Sequence, residues 1–109
     1  MRENGWTVCS VEKWIPPRGV MKFGVRIDAF GFGDLLACRP AIADLPPMIA
    51  LVQCTSDNGG NVAAHRTKIL ALPEFGIWKR AGGRVLLQGW AKKGPRGKKK
   101  YWIMREIEL

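Results

Sequence analysis

A chain of 109 residues, 47% hydrophobic and 25% charged, has the composition of one soluble globular domain and is too short for a separate regulatory unit. No apolar run approaches the ~18 residues needed to cross a bilayer, and the Met1-Arg2-Glu3-Asn4-Gly5 start lacks the apolar stretch of a secretory signal, so a cytoplasmic location is expected, host cytoplasm if the gene is phage-encoded. Eighteen Lys and Arg against nine Asp and Glu give a net charge of +9 and a pI near 10.0, which points to a polyanionic partner.

Thr7 to Trp14 alternates weakly through Val8, Val11 and Trp14 and reads as a first strand, ended by Pro16, Pro17 and Gly19. Val25 to Phe30 is a second strand carrying Asp28. Gly31 and Gly33 then mark a tight turn or bulge before Leu35, Leu36 and Ala37 resume apolar character. Pro40, Pro46 and Pro47 make residues 39–47 a loop with room for one helical turn. Met48 to Thr55 is apolar except for Gln53 and Thr55 at its end, as suits a central strand buried on both faces. Asn61 to Leu72 changes to a helical period, with Val62, Ile69 and Leu70 on one face and Asn61 as N-cap. Pro73 interrupts it, Glu74 to Ala81 forms a short second helix, and Gly82-Gly83 closes that helix with a left-handed cap. Two strands, Arg84 to Ala91 and Lys100 to Glu108, complete a single α/β domain spanning residues 1–109, with a central mixed sheet of about five strands. Between those last strands lies a basic hairpin tip, residues 92–100, bearing Lys92, Lys93, Arg96, Lys98, Lys99 and Lys100. Cys9, Cys38 and Cys54 lack metal-ligand spacing and are expected as small buried hydrophobes.

Two places set polar groups where packing alone wants hydrocarbon. Asp34 follows glycine at the head of the LLA run, and Gln53 and Thr55 interrupt the next strand on a shared face. Metal-assisted phosphodiester hydrolysis needs hard oxygen ligands, and Asp34 is the leading candidate; a Gly-Asp pair is also a common bend. Gln53 either faces Asp34 or bonds a loop carbonyl, because a buried amide left unsatisfied costs about 1–3 kcal/mol. Asp28 and Glu12 are the alternatives for a second ligand, or form surface ion pairs with Lys13, Arg18 or Arg26.

The succession GW-V at Gly5 to Val8, GDLLA at Gly33 to Ala37 and IALVQCTS at Ile49 to Ser56 resembles the PD-(D/E)xK nuclease superfamily, in its Holliday-junction-resolvase-like branch. A closer likeness is to small phage and bacterial proteins that carry GFGDLLA, VQVTS, a helix of the HRxKI kind and AGGRV-hydrophobic-GW, over roughly residues 5 to 109. The resemblance implies a restriction-endonuclease-like α/β fold and a Mg²⁺- or Mn²⁺-dependent endonuclease acting on DNA, branched or junction DNA included. It places Asp34 as the metal-binding Asp, Gln53 where the superfamily has an acid and Thr55 where it has a lysine. Both of the latter are departures from its pattern. Lys68 or Arg66 on the following helix could supply the missing cation, and His65 a general base; the same three side chains also read as phosphate contacts or plain helix surface. The helix that the superfamily places before its first strand has no counterpart here, which would uncover one sheet face and favour a homodimer. The alternatives are a catalytically inactive nucleic-acid-binding module of the same fold, and a phage assembly or interaction protein using its five tryptophans as interface groups.

Overall fold

The structure is a computed structural model describing residues 5–17, 19, 24–94, 97 and 99–109. Its elements run β1 (Thr7–Ser10), β2 (Lys13–Ile15), β3 (Val25–Ile27), β4 (Leu35–Arg39), β5 (Met48–Ser56), α1 (Asn61–Ala71), α2 (Pro73–Arg80), β6 (Arg84–Lys93) and β7 (Tyr101–Glu108). The fold is α/β: a mixed five-stranded sheet in the order β1-β4-β5-β6-β7, with the helices inserted between two of its strands, and a separate two-stranded β2-β3 ribbon. Among the described residues no helix is long and apolar enough to cross a membrane.

β5 is the middle strand, antiparallel to β4 and parallel to β6. The parallel pairing needs a long return connection, which α1 and α2 supply. Both helices lie against the β5–β6 part of one face. There Val62 and Ile69 of α1 bury against Phe32, Leu51, Val85 and Leu87, each large side chain contributing roughly 1.5–3 kcal/mol by leaving water. On the opposite face Ala37, Ala50, Val52 and Leu86 are buried beneath Trp6, Val8, Leu35 and Met48.

Several sequence expectations change. The first strand is broken at Val11-Glu12: the Val11 N–H still donates in register to the Asp34 carbonyl (3.0 Å) as the last bond to β4, and from Lys13 the chain pairs with β3 instead. The second ends at Ile27, because Phe30 (φ 54°) and Gly31 (φ 84°) form the tip of a tight turn. Instead of a helical turn, residues 39–47 contain a tight turn that bridges Ile42 and Leu45 through Ala43 (φ 48°). Gly60 in the left-handed conformation precedes α1, so Asn61 is its first residue and not its cap; the Asn61 side-chain amide donates to Ser56 Oγ. Leu70 lies off the buried stripe and is exposed. Pro73 begins α2, using the position where a helix needs no N–H. The expected left-handed cap is present at Gly82 (φ 96°), with Gly83 N–H to the Trp78 carbonyl and Gly82 N–H to the Lys79 carbonyl. Cys9 and Cys38 are exposed, and only Cys54 is half-buried. The reason is lateral: the helices cover β5 and β6 but not the β1–β4 edge, where Cys38 pairs with Thr7 and Ile49.

Candidate functional site

Three carboxylates meet where β4 begins, and short-range backbone geometry brings them there. In the segment Asp28-Ala29-Phe30-Gly31-Phe32-Gly33-Asp34 the Phe32 N–H closes a turn on the Ala29 carbonyl, and Ala29 and Gly33 exchange hydrogen bonds of 2.8 and 2.9 Å. The two aspartates flank that bridge and are thereby set side by side. Phe32 is driven into the core, its ring edge-on to Phe75 at 6.4 Å, which anchors the turn. Gly33 is required by close approach: a Cβ there would stand 2.9 Å from Leu51 Cδ2. Glu12 arrives by a second route. The β2–β3 ladder pairs Lys13 with Ile27, so one step further Glu12 faces Asp28, while the adjacent Val11–Asp34 hydrogen bond ties the same stretch to β4.

One carboxylate oxygen from each of Glu12, Asp28 and Asp34 lies within 4.8 Å of the others, all three residues being half-buried. Asp34 is held on its other side by β5. Its Oδ2 accepts from Gln53 Nε2 (3.1 Å) and from the Cys54 backbone N–H (2.9 Å), and its own N–H donates to the Val52 carbonyl (2.8 Å). Since β4 pairs with β5 only as far as Leu35–Val52, the Cys54 N–H has no strand partner on that side, and the Asp34 side chain takes its place. The Gln53 amide, 8% exposed, also donates to the Cys54 carbonyl (3.2 Å). The carboxylate of residue 34 and the amide of residue 53 thus face one another across neighbouring strands.

Burial raises the Asp34 carboxyl to about pH 6; the Cys54 N–H opposes this, while the Asp28 and Glu12 carboxylates reinforce it. Burial likewise pushes the Cys54 thiol up, with Asp34 and Glu12 adding to the effect. A Glu12–Arg26 ion pair of 3.2 Å offsets part of the negative charge, so the surface-pair and cluster readings of Glu12 both hold. The donor set suits a hard divalent cation. About one ion at most one pair of the three oxygens can be trans, about 4.2 Å apart for Mg²⁺ or about 4.6–5.2 Å with 2.3–2.6 Å bonds, and cis pairs are about 3.0–3.7 Å apart, so a cation would draw these side chains together. A cation would offset the burial, and with it the Asp28 and Glu12 repulsion, that together hold Asp34 protonated to about pH 6.

The remaining candidates sit as follows. Thr55 is half-buried on the Gln53 face of β5, opposite Gly89. On α1, Arg66 and Lys68 are exposed and His65 is half-buried, its Nδ1 engaged with the Asn61 carbonyl at 2.9 Å. The charges that act on Asp34 among the described residues are the acids Asp28 and Glu12. Lys92, Lys93, Lys99 and Lys100 are exposed on the β6–β7 hairpin, whereas Arg96 and Lys98 lie outside the described residues, as does Arg18. Sequence reasoning did not identify the Cys54 N–H as a fixture of the site; the signal was the mismatch in length between a short β4 and a long β5. No protein family, curated protein or solved structure matches the chain.

Proposed function

We propose that the chain is a divalent-metal-dependent endonuclease of the PD-(D/E)xK kind acting on DNA, with Asp34, Asp28 and Glu12 as the metal-holding carboxylates. The observation that carries this reading is the convergence of those three carboxylates beside Gln53. Mg²⁺ or Mn²⁺ bound there would polarise the scissile phosphate and lower the pKa of a water. Gln53 fixes the Asp34 carboxylate by donating to Oδ2, so that the carboxylate would be oriented to help hold an ion. Glu12 and Asp28 compensate for the neutral Gln53 at the position where the superfamily carries an acid. Thr55 brings no charge, so the phosphate is neutralised by cations from elsewhere in the chain, with Arg66 and Lys68 of α1 and the exposed hairpin lysines as the available groups. His65 keeps Nε2 as its free ring nitrogen for proton transfer. Junction or branched DNA is the substrate implied by resemblance, and a homodimer its expected assembly, since the helices protect a single sheet face.

A second reading, a nucleic-acid-binding module without catalysis, is favoured by Thr55 in place of lysine and by the Asp28 and Glu12 carboxylates that surround Asp34. Nicking of supercoiled plasmid and of a synthetic four-way junction tests the pair. The enzyme reading predicts cleavage with Mg²⁺ or Mn²⁺, none in EDTA, and loss of cleavage but retention of DNA binding in Asp34→Ala. Binding without cleavage under all of these conditions supports the inactive module instead.

A further inference from the structure

The sheet face turned away from α1 and α2 carries an aromatic groove that the proposed cleavage chemistry does not use. Register sets Lys92 opposite Trp102 and Trp90 opposite Met104, so these side chains share that face and the two indoles are diagonal neighbours. Trp90 and Trp102 line a shallow groove of about 280 Å³, continuous with a depression bordered by Cys54, Thr55 and Ser56. Trp102 is 63% exposed, an unusual position for the largest apolar side chain on an edge strand. The Lys92 ammonium stands 6.0 Å from the Trp102 ring centroid, and Lys93, Lys99 and Lys100 are exposed on the same hairpin.

We infer that this groove holds an unpaired nucleotide, its base stacked on Trp102 and Trp90 and its flanking phosphates met by the hairpin lysines. Aromatic platforms rimmed by cations are what single-stranded nucleic acid binds, because every base offers a π-face while the backbone supplies regular negative charge. Bases within a duplex are already stacked and cannot enter. A second copy of the chain fits less well, since a two-fold contact through this groove would set one basic hairpin against another. Trp90 and Cys54 border the same depression on this face, and the backbone N–H of Cys54 holds Asp34 at the end of β4. The inference rests on the nucleic-acid-binding half of the proposed function and not on cleavage.

The test is anisotropy of fluorescein-labelled oligonucleotides in EDTA, comparing a 20-nucleotide single strand with its duplex for wild type, Trp102→Ala and Trp102→Phe. Trp102→Ala is expected to weaken single-strand binding about tenfold and duplex binding less than about twofold, with most of the loss recovered by Phe. Equal losses on both forms, no loss on either, or a loss that Phe does not recover overturns the inference. So does a fall in sedimentation-derived mass on Trp102→Ala, which would make the groove a dimer contact. Nicking assays on the same proteins separate the two proposals: a single-strand preference that depends on Trp102 survives even where wild type cleaves nothing, and cleavage without that preference leaves only the nuclease reading.

Discussion

Replacing Asp34 by Asn should stabilise the protein at neutral pH while removing its metal response. The amide oxygen of Asn can still accept from Gln53 Nε2 and the Cys54 N–H, which converge on a single oxygen, Oδ2, in the native site. What disappears is an ionised carboxylate in a site that disfavours it. Below about pH 4 the Asp34 carboxyl is protonated in folded and unfolded chains alike, and it has no effect on stability. Between about pH 4 and about 6 the folded chain retains a proton that the unfolded chain has released, so stability falls as pH rises, and above about 6 the whole penalty is present. The shift from 3.8 to about 6 is nominally about 3 kcal/mol, and screening by solvent at this half-exposed group reduces it to about 1–2 kcal/mol. For a domain of this size the expected gain in Tm is about 4–10 °C at pH 7.5 and close to zero at pH 4. Differential scanning fluorimetry at both pH values, with and without 10 mM Mg²⁺, reads it. Mg²⁺ should raise the wild-type Tm at pH 7.5 and leave Asp34→Asn unmoved. A variant less stable than wild type at pH 7.5, or one equally shifted at both pH values, refutes the reasoning.

Gln53→Glu adds a fourth acid beside Asp34, so without metal it should lower stability at pH 7.5 by about 1–2 kcal/mol in urea titration, and Mg²⁺ should restore it; an unchanged midpoint in EDTA contradicts the arrangement. Gly83→Ala would set a Cβ 2.1 Å from the Trp78 ring, whose Nε1 donates to the Arg84 carbonyl at 2.8 Å. Overpacking of that kind costs about 1–3 kcal/mol, visible as a lower urea midpoint, and a neutral outcome would mean that the α2–β6 junction is looser than described. If the hairpin lysines meet phosphates, changing Lys92, Lys93, Lys99 and Lys100 to Gln should flatten the dependence of log K on log salt by about 0.9 for each duplex phosphate no longer neutralised. A slope that stays the same after all four changes removes the hairpin from the interface.

The long elements were readable because their apolar period and their punctuation agree. Met48 to Ser56 offered a nearly unbroken apolar run, and Gly82-Gly83 after Arg80 announced the end of α2. The pairing of Asp34 with Gln53 was legible for a related reason: a carboxylate at the head of one strand and an amide within the next must find partners, and each is nearest to the other. Glu12 was harder to place. Its position depends on a break after Val11 that sequence periodicity does not mark, where the chain leaves its pairing with β4 and begins pairing with β3. The cysteines show the opposite failure. Local hydrophobicity around Cys9 and Cys38 reads as burial, but what covers a sheet face is decided by where the helices return, and α1 and α2 return over β5 and β6. Trp90 and Trp102 stood out in sequence only as two of five tryptophans that could serve an interface, and only the strand register sets them beside Lys92 and Cys54.

The most direct measurement of the central claim is anomalous scattering from a crystal soaked in Mn²⁺ at pH 7.5. The account predicts one dominant peak bonded to oxygens of Asp34, Asp28 and Glu12, which disappears in Asp34→Asn. A saturating soak with no density between these carboxylates, or an ion bound elsewhere in a protein that still cleaves DNA, would contradict it.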